Sequence, residues 1–252
     1  MKHLIFAGNW KMNHAPADAV AFLREFLAHY QRMQDRTVIL FPSALTLPAV
    51  AHGAKDRSDI QIGVQNIYSE DKGAFTGENS AAIARAAGAK YALVGHSERR
   101  HIFGETDEQA KLKIGAAFRG GLIPVLCVGE TLAQRERGET QSVVLGQLHA
   151  AIGGLEASHV SQLLVAYEPV WAIGTGKTAT PSDAAAVHAV LRAALREPTG
   201  RIGGVPILYG GSVSQSNVRA LLSQKEVDGV LVGGASLDAD GWQSIVTTKI
   251  EV

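Results

Sequence analysis

The chain has 252 residues, of which 46% are hydrophobic and 19% are charged, and its 24 basic side chains are balanced by 24 acidic ones. A neutral chain has no overall field that would favour nucleic acid or an anionic membrane surface, so we expect neither partner. The single cysteine, Cys127, excludes an intramolecular disulfide. The sequence has no signal-peptide pattern and no apolar run of about 18 residues, and we therefore expect a cytoplasmic protein.

Short apolar runs recur along the chain at lengths typical of buried strands. They occur at Leu4–Gly8, Val38–Phe41, Ile60–Val64, Tyr91–Val94, Ile123–Val128, Leu163–Tyr167, Ile207–Tyr209 and Val230–Val232. Helical segments lie between them, and no linker divides the chain. This alternation predicts an α/β protein in which residues 1–252 form a single (β/α)8 barrel domain, with eight parallel strands surrounded by helices. An open doubly wound sheet is the alternative, although no Gly-x-Gly-x-x-Gly motif follows the first strand.

The segment after the sixth run has the clearest helical pattern. Thr180 is the predicted N-cap, Pro181 takes the first helical position, and Asp183 completes a capping-box-like pair. The same start signal occurs at two earlier places, Thr106 with Gln109 and Thr131 with Gln134. Apolar residues then follow the helical spacing i, i+3, i+4, i+7, i+8, at Val187, Val190, Leu191, Ala194 and Leu195.

Polar residues and glycines follow several predicted strands, where a barrel of this class carries its chemistry. They are Asn9-Trp10-Lys11, Gly95-His96-Ser97-Glu98, Glu168, Gly210-Gly211-Ser212 and Gly233-Gly234. Taken singly, each has a plainer interpretation: a solvated carboxylate, the start of a helix, a surface charge or a tight turn. Together they place a base, an imidazole, an ammonium group and two glycine-rich turns at one end of the barrel.

Glu168 is followed by a segment that is typical of a closing loop. Pro169 ends the sheet ladder directly after the carboxylate, and two glycines farther on ease backbone motion. Trp171 and Ile173 are expected to cover a bound substrate and to exclude water. Glycine-rich turns also let backbone N–H groups approach an anion, so those after strands seven and eight predict a phosphate site.

Five strings in this order resemble the triosephosphate isomerase family. They are Gly8-Asn9-Trp10-Lys11-Met12-Asn13, Gly95-His96-Ser97-Glu98-Arg99-Arg100, the segment 168–177, Tyr209-Gly210-Gly211-Ser212 and Leu231-Val232-Gly233-Gly234-Ala235. The resemblance extends over essentially the whole chain. It implies a TIM barrel that interconverts dihydroxyacetone phosphate and D-glyceraldehyde 3-phosphate through an enediol or enediolate, with no metal or organic cofactor.

The resemblance also implies a role for each matching residue. Glu168 is the expected general base, neutral His96 the electrophile, Lys11 the electrostatic stabiliser, and Asn9 a hydrogen-bond donor to the reacting oxygens. Glu98 is expected to orient Lys11 in an ion pair. Substrate and phosphate binding is assigned to Asn9, Lys11, Gly174, Ser212, Gly233 and Gly234.

Gln65-Asn66 and the 73–80 loop resemble the segment that family members insert into a second subunit, and this implies a homodimer. Phe75 at the loop tip favours burial in that subunit over a solvent-exposed turn. Thr76 is expected near the partner subunit's Lys11. Cys127 matches a buried cysteine on the fifth strand, and packing explains it better than nucleophilic catalysis.

Two other functions remain as alternatives: a different sugar-phosphate enzyme built on a barrel, and a non-catalytic sugar-phosphate sensor. A Schiff-base aldolase needs a desolvated lysine on a central strand. Lys11 is the only lysine among the strand-end residues considered above. A sensor could have lost Glu168 or His96, but both are present.

Overall fold

The computed structural model of the chain describes residues 2–173, 178–200 and 204–250, and within them eight parallel strands close into a barrel in chain order. The strands are β1 (Leu4–Asn9), β2 (Arg36–Phe41), β3 (Ile60–Val64), β4 (Tyr91–Val94), β5 (Ile123–Val128), β6 (Leu164–Tyr167), β7 (Ile207–Tyr209) and β8 (Gly229–Val232). The barrel closes where β1 pairs with β8, with Ile5 opposite Gly229. This closure confirms the predicted barrel and excludes the open sheet.

Helices surround the strands on the outside of the barrel. They are α1 (Pro16–His29), α2 (Leu47–Gly53), α3 (Ala81–Ala86), α4 (Ser97–His101), α5 (Asp107–Arg119), α6 (Leu132–Glu136), α7 (Thr140–Ile152), α8 (Ala157–Val160), α9 (Pro181–Thr199), α10 (Val218–Leu222) and α11 (Ala239–Val246). The three predicted capping boxes are present at the starts of α5, α6 and α9. Among the described residues, no helix has the length and apolar character that a membrane span requires.

Alternate residues of the strands separate two apolar cores. One core lies between the strands and the helices, and Phe6, Val38 and Leu40 belong to it. The other fills the barrel interior and includes Ile39 and Cys127. Cys127 is fully buried, and burial raises the pKa of its thiol well above the ordinary value, which agrees with the predicted packing role.

The parallel arrangement brings the carboxyl ends of the strands to one mouth of the barrel. The residues that directly follow β3, β6 and β7 are Gln65, Glu168 and Gly210. Asn9 is the last residue of β1, and Gly233 directly follows β8. The fold therefore gathers residues that are far apart in sequence around a single opening.

Candidate active site

A cavity of about 270 Å³ opens at the carboxyl ends of the strands. Its lining consists of Asn9, Lys11, His96, Glu168, Ile173, Gly210, Gly211, Ser212, Val213, Leu231, Gly233, Gly234 and Ala235. Of the predicted site residues, all but Gly174 therefore meet in this cavity. Gly174 lies outside the residues that the structure describes.

The carboxylate of Glu168 is buried at the base of this cavity, with 3% of the residue exposed. Its Oε2 accepts a hydrogen bond from the backbone N–H of Ser97 at 2.8 Å, and its Oε1 lies 3.1 Å from Nε2 of His96. Burial by itself raises the pKa of Glu168. His96 and the Ser97 N–H together lower it by more than burial raises it, so the net pKa is below the ordinary value. The carboxyl group is therefore held in its ionised form.

Two glycines leave room for Glu168. A Cβ at Gly129 would lie 1.8 Å from the carbonyl oxygen of Glu168, and a Cβ at Gly210 would lie 2.8 Å from its Cγ. The backbone N–H of Glu168 also donates to the carbonyl of Val128 at 2.8 Å. The turns after β5 and β7 therefore fix both the backbone and the side chain of this residue.

His96 is the N-cap of α4, and its ring is held from both sides. Its Nδ1 accepts the backbone N–H of Glu98 at 3.3 Å, while Nε2 lies 3.2 Å from Nδ2 of Asn9. Because a backbone donor occupies Nδ1, a single ring proton belongs on Nε2, facing Glu168. Burial lowers the pKa of His96, but the charge and hydrogen bond of Glu168 and the charge of Glu98 together raise it more, so the net pKa lies above the usual value.

Lys11 has a left-handed backbone with φ of 52°, which is uncommon for a residue with a side chain. Its N–H donates to Oδ1 of Asn9 at 3.0 Å, and its Nζ donates to Oε1 of Glu98 at 2.6 Å. The ion pair expected between Lys11 and Glu98 is present in the structure. It lies at the edge of the cavity, where the Glu98 side chain is 38% exposed.

The glycine-rich turns present backbone donors to the cavity. A short 3-10 helix, Gly234–Ser236, follows β8, and the N–H of Ser236 donates to the carbonyl of Gly233 at 2.8 Å. Within the described part of the chain, no hydrogen bond engages the N–H groups of Ser212, Gly233 or Gly234. Such groups at a helix N-terminus suit an anion.

Trp171 and Ile173, which are predicted to cover a bound substrate, have different surroundings in this structure. Ile173 lines the cavity, and the indole Nε1 of Trp171 donates to Oε1 of the fully buried Glu130 at 3.0 Å. The guanidinium of Arg135 lies over the indole ring at 4.6 Å and pairs with Asp183 at 3.0 Å. Trp171 is thus packed beside the barrel mouth in this structure.

Three residues contact the site although sequence reasoning gave them no role in it, and Gln65 was assigned only to the intersubunit loop. Ser97 binds the Glu168 carboxylate through its backbone, Gln65 donates to the carbonyl of Lys11 at 2.8 Å, and Glu130 accepts from Trp171. A signal existed for Gln65, because it is a polar residue directly after β3 and at the same end as the others. The backbone contact of Ser97 has no side-chain signature.

Among residues 2–173, 178–200 and 204–250, no group of three or more His, Cys, Asp or Glu side chains is placed to hold a metal ion.

Comparison with known proteins gives a consistent result. A family model described as triosephosphate isomerase matches residues 4–249. A triosephosphate isomerase of Solibacter usitatus is 44% identical over 248 residues, which cover 98% of this chain and 99% of that protein. One of Carboxydothermus hydrogenoformans is 46% identical over 252 residues, with coverage of 99% and 100%. One of Moorella thermoacetica is 45% identical, with 98% of each chain covered.

Proposed function

The chain belongs to the triosephosphate isomerase family, an enzyme family, and on that premise we propose that it interconverts dihydroxyacetone phosphate and D-glyceraldehyde 3-phosphate. The reaction proceeds through an enediol or enediolate. The observation that carries this proposal is the buried carboxylate of Glu168, 3.1 Å from His96, in the same cavity as backbone N–H groups of two glycine-rich turns that engage no hydrogen bond among the described residues. A base and an anion site in one cavity suit proton transfer on a small phosphorylated substrate.

Glu168 acts as the general base, and it removes a proton from the carbon beside the carbonyl. In this structure its pKa is lowered, because His96 and the Ser97 N–H stabilise the carboxylate. Movement toward the substrate exchanges the Ser97 hydrogen bond for contact with a carbon. The carboxylate then loses a group that lowers its pKa, and it becomes a stronger base when the proton is transferred.

His96 acts as the electrophile and polarises the substrate carbonyl through its Nε2–H. Its raised pKa is caused by the negative charge of Glu168. That cause is removed when Glu168 accepts the substrate proton. Burial and the Glu98 N–H at Nδ1 then favour the neutral imidazole, which donates from Nε2 to the developing oxyanion.

Lys11 and Asn9 stabilise the negative charge that develops on the substrate oxygens. Lys11 supplies an ammonium group that already lies at the cavity edge, 2.6 Å from Glu98. Asn9 supplies an amide donor beside Nε2 of His96. Charged and neutral donors in a water-poor site are strong contributors to the stabilisation of an enediolate.

The phosphate binds at the glycine-rich turns. This assignment is supported by the N–H groups of Ser212, Gly233 and Gly234, which engage no hydrogen bond within residues 2–173, 178–200 and 204–250, and by the start of the 3-10 helix. Gly174, in the segment between Ile173 and Thr178, completes the proposed set of phosphate-binding residues. Retention of the phosphate also protects the enediolate from elimination of that group.

Two copies of the chain form a homodimer through the 73–80 loop. Five large apolar side chains support this proposal by their exposure, namely Met12, Leu45, Ile83, Ile102 and Phe103. Phe75 at the loop tip is 39% exposed and contacts Tyr68 of its own chain at a ring distance of 4.6 Å. The cytoplasmic location and the single domain of residues 1–252 stay predictions.

Proton NMR of dihydroxyacetone phosphate in deuterated water tests the proposed reaction, with the purified chain and a metal chelator present. The expected result is glyceraldehyde 3-phosphate with deuterium at the carbon beside the carbonyl. Folded protein that binds inorganic phosphate without any conversion would favour the non-catalytic sensor. Conversion that the chelator abolishes would contradict the metal-free mechanism.

A further inference from the structure

The backbone of Lys11 adopts a conformation that its own residue type disfavours. Its φ of 52° places a residue with a Cβ in the left-handed region, where neighbouring contacts must hold it. Asn9 fixes its N–H at 3.0 Å, and Asn13 fixes the preceding carbonyl, that of Trp10, at 2.7 Å. The carbonyl of Lys11 itself needs a separate support, because neither of these contacts reaches it.

That support comes from Gln65, the residue that directly follows β3. Its Nε2 donates to the carbonyl of Lys11 at 2.8 Å and to the carbonyl of Phe41, the last residue of β2, also at 2.8 Å. The Phe41 carbonyl also accepts the N–H of Trp10 at 3.1 Å. One half-buried amide therefore joins the ends of β1, β2 and β3 beside the left-handed turn.

We propose that Gln65 is a positioning residue for Lys11: its amide NH2 group holds the left-handed turn and thereby aims the ammonium group at the cavity. This inference rests on the proposed function, because it assigns Gln65 to the same reaction. Gln65 acts through Lys11 and does not contact the reacting atoms.

The chemistry of the contact makes the proposal specific. Both partners of Nε2 are carbonyl oxygens, so only the amino end of the amide can serve them. A carboxylate of the same shape has no donor and meets two acceptors instead. A displacement of the turn then moves the Lys11 side chain and its Nζ. This side chain lies close to Gly233, because a Cβ built at Gly233 would be 3.2 Å from Cε of Lys11.

A purely structural role for Gln65 is the competing explanation, since it also joins the ends of three strands. The two explanations differ in how the effect of a Gln65 variant depends on Lys11. A structural role changes the whole barrel mouth whether or not the ammonium group is present. A positioning role disappears when that group is removed, which is the property a double-mutant cycle measures.

The test combines Gln65→Glu with Lys11→Met and measures kcat, KM and the binding of glycerol 3-phosphate. Gln65→Met is the second variant, and it removes the donor without adding a charge. Gln61→Glu is the matched control, because Gln61 lies on β3, which Gln65 directly follows, and its Nε2 donates only to the carbonyl of Ser58 at 2.6 Å among the described residues. Sedimentation fixes the oligomeric state of every variant at the assay concentration.

We expect Gln65→Glu and Gln65→Met to lower kcat/KM by about 10-fold to 100-fold, as small displacements of an aligned group do. In the Lys11→Met background the further loss should be less than about twofold. Gln61→Glu should leave kcat/KM unchanged. Equal losses in both backgrounds, wild-type activity of both Gln65 variants, or a loss explained by subunit dissociation would overturn the proposal.

The same experiment separates this inference from the proposed function. If the wild-type chain fails to isomerise the substrate, the proposed function fails. Glycerol 3-phosphate binding then still tests Gln65, because its substitution should weaken binding in the presence of Lys11 and have little effect in Lys11→Met. Binding that is equally weakened in both backgrounds would contradict the positioning role.

Discussion

The two ends of the barrel strands carry different kinds of polar residue. At the amino ends, charges neutralise one another: Arg192 pairs with Glu226 at 2.7 Å and with Asp228 at 2.6 Å, and Arg57 pairs with Asp59 at 2.9 Å. At the carboxyl ends, a cavity is lined by glycines, by backbone N–H groups without a hydrogen bond in the described part of the chain, and by Lys11 with its left-handed backbone. The amino ends therefore pair these charges with one another, whereas the carboxyl ends leave backbone N–H groups available to a ligand.

This difference indicates that the residues that stabilise the barrel and the residues proposed for catalysis lie at opposite ends of the strands. Asp228 holds the amino ends of two strands, because its Oδ2 accepts both Arg192 and the N–H of Ile207 at the start of β7. At the other end, Glu168 is kept ionised in a cavity and has no basic residue paired with it in the described structure other than His96. Substitutions at the two ends should therefore affect different measurements.

Glu168→Gln should have the largest effect on the carboxyl end. The amide keeps the shape of the side chain but cannot accept the substrate proton, so kcat should fall by about 1000-fold or more. Glycerol 3-phosphate should still bind, as isothermal titration can verify, and the melting temperature should change little. Activity within tenfold of the wild type would remove Glu168 as the base.

Arg192→Met should have the largest effect on the amino end. It leaves Glu226 and Asp228 without their shared partner, and breaking such a partly buried network should lower the free energy of unfolding by about 3 kcal/mol. Urea unfolding gives this value directly. The variant should keep wild-type kcat/KM while folded, and a selective loss of kcat would contradict the division between the two ends.

His188 should make stability depend on pH through the amino end. Burial lowers its pKa from 6.5 to about 4, and its Nδ1 lies 3.1 Å from the carbonyl of Glu226. The unfolded chain therefore takes up a proton before the folded chain does. This contribution is complete above pH 6.5 and is lost as the pH falls toward 4, by about 2 kcal/mol between pH 6.5 and pH 4.5.

Urea titrations at several pH values measure this dependence for the wild type and for His188→Gln. The glutamine variant has no proton to bind in that range, so its stability should fall less steeply with decreasing pH. Parallel curves for the two proteins would show that His188 does not cause the acid sensitivity.

Gly210→Ala should have the smallest of these effects, and it tests how closely the carboxyl end is packed. Its new Cβ would lie 2.8 Å from Cγ of Glu168 and should shift the carboxylate, which lowers kcat/KM by about tenfold. Gly146→Ala is the control, because a Cβ at that position in α7 would meet no described residue within 4 Å beyond its chain neighbours and its own helix backbone. Equal activity of both variants would mean that the Gly210 contact does not position Glu168.

The sequence allowed the fold to be predicted because its signals are local. The apolar runs predicted the bounds of each strand to within two residues at either end, and the Thr180 capping box predicted the start of α9. The location of the cavity followed from the parallel strands. These features depend on neighbouring residues and on a simple geometric rule, so a single sequence contains them.

The contacts that refine the site could not be predicted in the same way. Gln65 reaches the carbonyls of Lys11 and Phe41, which lie 54 and 24 residues away in sequence. Trp171 binds Glu130, 41 residues earlier. Such partners are set by how three loops pack in space, and no spacing rule along the chain indicates them.

A crystal structure with glycerol 3-phosphate is the best test that the glycine-rich turns and Glu168 form one substrate site, because this ligand carries both a phosphate and a carbon chain that resembles the substrate. We expect the phosphate to lie against the N–H groups of Ser212, Gly233 and Gly234, and the carbon chain to lie between Glu168 and His96. A phosphate bound elsewhere, or a carbon chain directed away from Glu168, would contradict it.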